Sequence, residues 1–421
     1  MNQNLELNRK TCWWIVVLII LQQFLSINMY VLLCMACTFL LGIKYIKILN
    51  KYKPYGIFLY IIWGIFAFFW GWVIERNSFF RVLRSTEYWL NGVLTIVLGM
   101  LLVIQTASKY DLLKTLTVSN FIISIYCFVQ LVVSGGFLNY ITVRTNLSIN
   151  VVALEAIVPI YFIYKAIYKE TIVSRKLDPW ISLTFLMRVI LCFSRTTIIG
   201  VIITLVIYVL LMEREYRIPS SLFIKVFIII IVFYIAINFM IKIMPSGTQD
   251  FLNKFTSIFS EVDTDGTFNN YAAALSNWRG YENWAALQQF SSYDITGKLI
   301  GNGFGGLVHV QYVPSTWKSM EFYQDGGIPL LHNGFFTVLC LGGLFGIFSY
   351  LRLFIGNIFW ALRKRKFTNQ FRISNITIVL CVMMLVNTYV IRGLFSETIV
   401  LTWGILFCEA IYNSKRKVYG E

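Results

Sequence analysis

The chain has 421 residues, of which 58% are hydrophobic and only 13% are charged. Its mean hydropathy is +0.70, more apolar than a water-soluble domain of this length requires. The formal net charge of +16 suggests nucleic acid as a partner, but the basic residues stand between long apolar runs. Composition and charge placement therefore exclude a soluble or nucleic-acid-binding protein and favour one that crosses a lipid bilayer repeatedly.

Long apolar runs recur along the chain, and a helix needs roughly 20 mostly apolar residues to cross a bilayer. We predict an all-α polytopic membrane protein with about twelve spans, near 12–27, 29–47, 56–74, 89–107, 116–134, 150–168, 180–194, 196–212, 221–243, 329–350, 373–391 and 396–413. The first nine spans occupy residues 1–243, a large loop with helical segments occupies 244–328, and three spans with a tail occupy 329–421. The first apolar run lacks a small-residue cleavage site after it, so we expect a retained anchor.

Lysine and arginine are distributed unevenly over the two sides of these predicted spans. With a cytoplasmic N-terminus, the inner loops receive basic clusters such as "RKRK" at 363–366. The short outer loops receive only arginines: Arg76, Arg81, Arg84, Arg144, Arg195 and Arg392. This asymmetry follows the positive-inside rule and predicts cytoplasmic termini with the large loop outside. Because the planar guanidinium matches phosphate oxygens two at a time, the outer arginines predict a phosphate or pyrophosphate site.

Cysteine and histidine give little sign of metal or redox chemistry. All eight cysteines fall in or beside predicted spans, including "CMAC" at 34–37, so packing is favoured. Two histidines without a nearby cluster of cysteines or carboxylates do not fill a zinc shell. We therefore expect no metal and no cofactor.

The large loop contains a predicted helix between Ala272 and Phe290. Four residues recur on one face at helical spacing: Trp278, Tyr281, Trp284 and Leu287. Arg279 lies beside this stripe. Such aromatic side chains either stack on sugar rings or lie in the membrane interface, and the sequence leaves both interpretations open.

Three further motifs have a structural and a functional interpretation. "GNGFGG" at 301–306 is read as a tight turn, because no βαβ unit surrounds it as nucleotide binding would require. "DTDG" at 263–266 is read as a turn, because the later carboxylate of a calcium loop is missing. Glu155 lies inside the sixth predicted span, where a carboxylate is costly and often functional. It is protonated, paired with an arginine such as Arg144, or next to an aqueous cavity.

His332 opens the tenth predicted span, directly after "DGGIPLL". An imidazole with an unperturbed pKa near 6.5 suits a general base at the membrane boundary. The alternative is a helix-capping or hydrogen-bonded histidine. The other histidine, His309, lies in the loop without such a context and is predicted to be a surface residue.

Several of these motifs together resemble the O-antigen polymerase and ligase superfamily of membrane glycosyltransferases. "FSRTTIIGVIITLVI" at 193–207 is similar to its arginine followed by an apolar span, and "NWRGYENWAAL" at 277–287 is similar to its arginine-bearing loop helix. "GNGFGG" followed by "HNGFFTVLCLGGLFGI" from residue 332 resembles its glycine-rich turn and histidine-led helix. The twelve-span layout with one large late outer loop also matches.

The resemblance implies a GT-C-like enzyme of the bacterial inner membrane, with its active site facing the periplasm. It implies catalytic roles for Arg195, Arg279 and His332. The stretch "VRTNLSIN" around Arg144 also resembles a family position, and Arg144 is expected to bind substrate. The remaining outer-side residues are expected to bind substrate: Arg76, Arg81, Arg84, Arg392, Trp278 and Tyr281. The implied partners are an undecaprenyl-pyrophosphate-linked glycan donor and acceptor, the bilayer, and a chain-length regulator.

The polymerase, which joins repeat units, is the favoured activity. The alternatives are a ligase that transfers polymer to lipid A core, a transporter or flippase of a lipid-linked anion, and a peptidoglycan glycosyltransferase of the shape and division type. A transporter usually has internal repeats or broken helices in corresponding positions, and no clear repeat is visible in the sequence.

Overall fold

The fold is known from a computed structural model, which describes residues 2–106, 109–136, 139–213, 268, 270–313, 327–367 and 371–418. The predicted span 221–243 and the motif "DTDG" lie outside the described residues. The first nine helices are α1 (Asn2–Leu21), α2 (Ile27–Tyr52), α3 (Ile57–Phe69), α4 (Phe79–Gln105), α5 (Lys109–Val133), α6 (Tyr140–Leu147), α7 (Val151–Phe162), α8 (Asp178–Leu191) and α9 (Arg195–Glu213). Two π-helical turns, Trp70–Ile74 and Ile163–Ile167, extend α3 and α7.

Among the described residues from 268 onward, three short helices are followed by three long ones. The short helices are α10 (Tyr271–Ser276), α11 (Trp278–Ser292) and α12 (Ile295–Ile300), and the long ones are α13 (Gly334–Phe367), α14 (Phe371–Ile391) and α15 (Leu401–Val418). Two short strands, β1 (Val308–His309) and β2 (Gly327–Ile328), pair antiparallel, with Val308 opposite Ile328. The predicted loop helix is thus two helices, because Asn277 interrupts it and its side chain caps the N-terminus of α11.

Membrane character is confirmed, and the exact number of spans stays a prediction. Within the described residues, 7 helices are long and apolar enough to cross a bilayer, or up to 8 if the bent pair α6–α7 counts as one span. Large apolar side chains on α2 point away from the protein, with Phe39 and Leu40 each 68% exposed. Lipid is the solvent in which such a surface is stable. The chain is therefore an all-α, multi-pass membrane protein.

The bend of 70° between α6 and α7 is held by a buried arginine. α6 ends at Leu147, and its last carbonyls have no partner within the helix. Arg188 of α8, only 1% exposed, donates to the carbonyl oxygens of Leu147 and Ile149 and to Ser124 Oγ. The guanidinium thus satisfies the backbone that the break leaves open, a role that the sequence analysis did not predict.

The glycine-rich turn at 301–306 packs against a second break, in α13. Gly343 has φ 58° and ψ −155°, which interrupts the helix. The carbonyls of Cys340 and Leu341 instead accept from the backbone N–H groups of Asn302 and Gly303, at 3.0 and 2.9 Å. "GNGFGG" is therefore a structural turn, as predicted, and it joins the loop helices to the bundle.

The helix bundle has two ends with different polar contacts. At one end, the turns between helices meet the loop helices: Asn77 Nδ2 donates to the carbonyls of Asn302 and Phe304, at 2.9 and 3.0 Å. Gln22 Nε2 donates to the carbonyl of Ile399 at 2.8 Å at this end as well. We call this the loop end, comprising residues 22–26, 75–78, 148–150, 270–313, 327–333 and 392–400. The opposite end contains basic contacts such as that of Lys415 Nζ with the carbonyl of Lys53, at 2.7 Å.

Candidate functional site

The candidate site is centred on His332, at the loop end, where the chain enters α13. Its ring nitrogen Nδ1 lies 2.9 Å from Oε2 and 3.1 Å from Oε1 of Glu282. The backbone N–H of His332 also donates to Glu282 Oε2, at 2.9 Å. The imidazole side chain is 34% exposed, while that of Glu282 is 2% exposed. The histidine can therefore meet a substrate, and the carboxylate cannot.

Glu282 itself is fixed by the helix that carries it. It lies on α11, and Trp278, one turn earlier on that helix, donates its indole N–H to Glu282 Oε1 at 2.6 Å. The carboxylate thus accepts two N–H groups, the Trp278 indole and the His332 backbone, and also lies at hydrogen-bond distance from His332 Nδ1. Such saturation makes the burial of a carboxylate tolerable.

The turn that presents His332 is stabilised by the residues after it. Asn333 Oδ1 accepts from the backbone N–H of Phe335 at 3.0 Å and so caps the start of α13. Thr337 Oγ1 accepts from the backbone N–H of Leu331 at 3.1 Å. The helix cap is therefore Asn333, and His332 remains available to pair with Glu282 through its side chain.

Arg392 contacts this turn from the other side. Its Nε donates to the carbonyl of Leu331 at 3.2 Å, and its Nη1 lies 3.0 Å from Glu397 Oε1. The backbone of Arg392 packs against Gly334, where an added Cβ would come within 2.4 Å of the Arg392 carbonyl oxygen. Arg392 also has a φ of 100°, a conformation that costs a non-glycine residue energy and is often retained at functional sites.

Arg84 lies near the start of α4, beside the loop end. Its Nε donates to the hydroxyl of Tyr88 at 2.6 Å. The Tyr88 phenol is within electrostatic reach of Arg84, Arg392 and Glu397. Arg84 and Arg392, both predicted to bind substrate, thus lie near the Tyr88 phenol. Arg392 also contacts the turn that carries His332.

The two arginines predicted to be catalytic are also near this end. Arg279 is half-buried on α11, three residues before Glu282. Arg195 is half-buried and opens α9. The depth of Arg195 along the bundle can be read from Glu155, which contacts both α9 and α14. The Glu155 carboxylate accepts from Asn387 Nδ2 of α14 at 2.7 Å and lies against Gly200 of α9.

The helices α9 and α14 run in opposite directions. Arg195 is five residues before Gly200, and Arg392 is five residues after Asn387. At 1.5 Å per residue, both arginines lie about 7.5 Å from the level of Glu155, toward the loop end. Arg195 and Arg392 therefore share a level in the bundle.

The remaining predicted site residues have more varied surroundings. Arg76 and Arg144 are exposed, and Arg81 is half-buried. Tyr281 is fully buried, and its hydroxyl accepts from the backbone N–H of Tyr312 at 2.8 Å. Burial raises the pKa of the Tyr281 phenol above its ordinary value. In this structure its ring is packed inside the loop helices and offers no face to a sugar.

Glu155 and His309 can now be assigned. Glu155 is fully buried, and its partner is the amide of Asn387, whereas Arg144 is exposed on α6. An ion pair between Glu155 and Arg144 is thus not formed. His309 is exposed on β1, which confirms its prediction as a surface residue.

No protein-family model matches this chain, and no curated protein is significantly similar to it. The functional interpretation therefore depends on the site itself: a partly exposed imidazole on a buried carboxylate, with Arg392 against the turn that carries the imidazole. This set of groups can remove a proton from an incoming alcohol and bind an anionic group beside it.

Proposed function

We propose that this protein is a membrane glycosyltransferase that joins glycan repeat units carried on undecaprenyl pyrophosphate, as O-antigen and capsule polymerases do. The observation that carries the proposal is the half-exposed His332 on the buried Glu282, at the end of the bundle where Arg84 and Arg392 lie. The motif resemblance around Arg195, Arg279 and His332 supports the same reaction.

The reaction needs two electrostatic contributions, and the site offers both. A hydroxyl of the acceptor glycan attacks the anomeric carbon of the donor, a new C–O bond forms, and the bond to the pyrophosphate breaks. His332 takes the hydroxyl proton. Arginines stabilise the negative charge that grows on the departing undecaprenyl pyrophosphate. Because guanidinium groups neutralise the leaving group, the proposed reaction requires no divalent metal.

The membrane context fits a substrate that is half lipid and half sugar. The polyprenyl chain would remain among the lipid-facing helices, while the sugars would occupy the loop end. In this proposal the loop end faces the periplasm of a bacterial inner membrane, and a chain-length regulator would contact the protein from the same side. The polymerase is preferred to the ligase because the latter must also accommodate lipid A core.

A reconstitution assay tests the proposal. Purified protein in liposomes is given lipid-linked repeat units together with a chelator of divalent metals, and the glycan products are separated by length. We expect elongation by the wild type and by His309→Ala, and loss of elongation in His332→Ala. Wild-type elongation by His332→Ala would contradict the base role, and transfer only to lipid A core would indicate a ligase.

The arginine assignments are tested in the same assay. We expect Arg195→Ala and Arg279→Ala to abolish elongation. Lysine at either position should restore little elongation, because the point charge of its ammonium does not replace the planar guanidinium. Full activity of both lysine variants would show that only charge matters there.

A transporter of lipid-linked anions is the second candidate, and one observation favours it. The pair α6–α7 is bent by 70° at a break, as a broken span or a re-entrant loop is, and the buried Glu155 follows the break by little more than one turn. Transporters often place ion sites beside broken helices. A liposome assay in which intact substrate crosses the bilayer, with no new glycosidic bond, would favour this candidate over the glycosyltransferase.

A further inference from the structure

We infer that Glu282 is the positioning residue of this site: it holds His332 with the proton on Nδ1, so that Nε2 is the atom that accepts the substrate proton. Nothing in the motif resemblance assigns this residue. Its catalytic consequence rests on the proposed function, whereas the protonation pattern of the ring does not.

The hydrogen bonds to Glu282 determine which nitrogen carries the proton. An ionised carboxylate can only accept. His332 Nδ1 lies 2.9 Å from Glu282 Oε2, so Nδ1 must be the donor. A neutral imidazole has one protonated nitrogen, and Nε2 is therefore left with a free lone pair.

The other donors to Glu282 remove alternatives to this arrangement. The backbone N–H of His332 and the indole N–H of Trp278 occupy the same carboxylate, at 2.9 and 2.6 Å. A 180° turn of the His332 ring about the Cβ–Cγ bond would bring the Cδ2–H group to the place of Nδ1, so the ring cannot turn over without losing its hydrogen bond to Glu282. Both the orientation and the tautomer of His332 follow from one buried acid.

The same carboxylate stabilises the ring after it has taken a proton. When Nε2 accepts the proton of the acceptor hydroxyl, His332 becomes an imidazolium beside a side chain that is 2% exposed. The carboxylate still accepts the Nδ1 hydrogen bond, so the new positive charge forms beside a fixed negative one. Glu282 does not touch the substrate, and it acts only through His332.

The chain offers a direct test, because it has 2 histidines and the second is an internal control. Protein labelled with ¹⁵N-histidine is studied by NMR without substrate, at about pH 8, where an unperturbed imidazole is neutral. We expect His332 to be a single tautomer with the proton on Nδ1. The exposed His309 should give the tautomer mixture of a solvated imidazole. A proton on Nε2 of His332, or a mixture like that of His309, would overturn the inference.

Variants then link the tautomer to catalysis. Glu282→Gln presents an amide N–H₂ that donates, so we expect the single Nδ1–H tautomer to be lost. We also expect kcat to fall by about 100-fold or more with little change in the KM for the lipid-linked donor. Glu282→Asp keeps the charge and should recover part of the Nδ1–H tautomer and part of kcat. The exposed Glu75 provides the control Glu75→Gln, which should change neither the tautomer of His332 nor kcat.

The proposed function and the role of Glu282 can be contradicted independently of each other. If the tautomer is as stated but no glycan is elongated, the proposed function is wrong and the role of Glu282 toward His332 holds. If glycans are elongated while Glu282→Gln leaves both the tautomer and kcat unchanged, the inference is wrong and the proposed function holds.

Discussion

Replacing Arg392 by glycine and by alanine separates its backbone conformation from its guanidinium. Both variants lose the hydrogen bond to the Leu331 carbonyl, at 3.2 Å, and the pair with Glu397, at 3.0 Å. The first is worth about 1.5 kcal/mol, since the donor is charged but part-exposed, and the second about 0.5 kcal/mol. Alanine should therefore destabilise the protein by about 2 kcal/mol.

Glycine should recover part of that loss. The φ of 100° at Arg392 costs a non-glycine residue about 2 kcal/mol, and glycine adopts it freely. After the larger unfolded-state entropy of glycine is subtracted, Arg392→Gly should be about 1 kcal/mol more stable than Arg392→Ala. Because both lack the guanidinium, both should lose about 100-fold in turnover.

The assay is thermal unfolding in detergent combined with glycan elongation in liposomes. We expect Arg392→Gly to unfold at a higher temperature than Arg392→Ala, and the two variants to have the same turnover. Wild-type turnover in Arg392→Gly would show that the guanidinium is not part of the site. An alanine variant more stable than the glycine variant would refute the argument from backbone strain.

Two further substitutions test the scaffold and the second candidate function. Gly303→Ala should destabilise the fold by about 3 kcal/mol or more, because Gly303 has φ +68° and its Cβ would lie 2.3 Å from the backbone nitrogen of Gly71. The control Gly42→Ala meets nothing within 4 Å and should unfold like the wild type in a thermal melt. Glu155→Gln keeps the volume and the hydrogen bond from Asn387, so elongation should persist with less than about 1.5 kcal/mol lost. Loss of ion-driven transport in that variant, with no elongation by the wild type, would instead support the transporter.

The membrane class could be predicted because a bilayer imposes length and hydropathy on each helix. The predicted spans 150–168, 180–194 and 196–212 coincide with helices, namely α7 plus its π-turn, α8 and α9, although α8, with 14 residues, is not among the helices long enough to cross a bilayer. The first predicted span was too long, since α1 ends at Leu21 and α2 begins at Ile27. A signal was present in this turn, since Gln22, Gln23 and Ser26 interrupt the apolar run and the Ser26 side chain caps the N-terminus of α2.

The helix breaks could not be predicted, because the groups that stabilise them are distant in sequence. The apolar pattern continues through Gly343, yet the helix opens there to accept the backbone of Asn302 and Gly303. Likewise, the α6–α7 break depends on Arg188, which is 39 residues from Ile149. Only tertiary contacts determine that these backbone groups find partners outside their own helices.

His332 was identifiable from sequence because histidine is rare in this chain and this one opens a helix. Glu282 was missed, because an acid on a loop helix usually faces solvent. One signal was available: Glu282 follows Trp278 by four residues, which places its carboxylate on the helix face of the aromatic stripe. Its pairing with His332, 50 residues later, required the fold.

The most direct test of the central claim is the position of the diphosphate in a structure of the protein with bound undecaprenyl pyrophosphate. We expect the phosphate oxygens to contact Arg392 of the loop end or Arg84, near the start of α4 beside it, with His332 Nε2 facing the space beside the phosphates. A diphosphate bound at the opposite end of the bundle, or at the loop end beyond the reach of every arginine and of His332, would contradict this expectation.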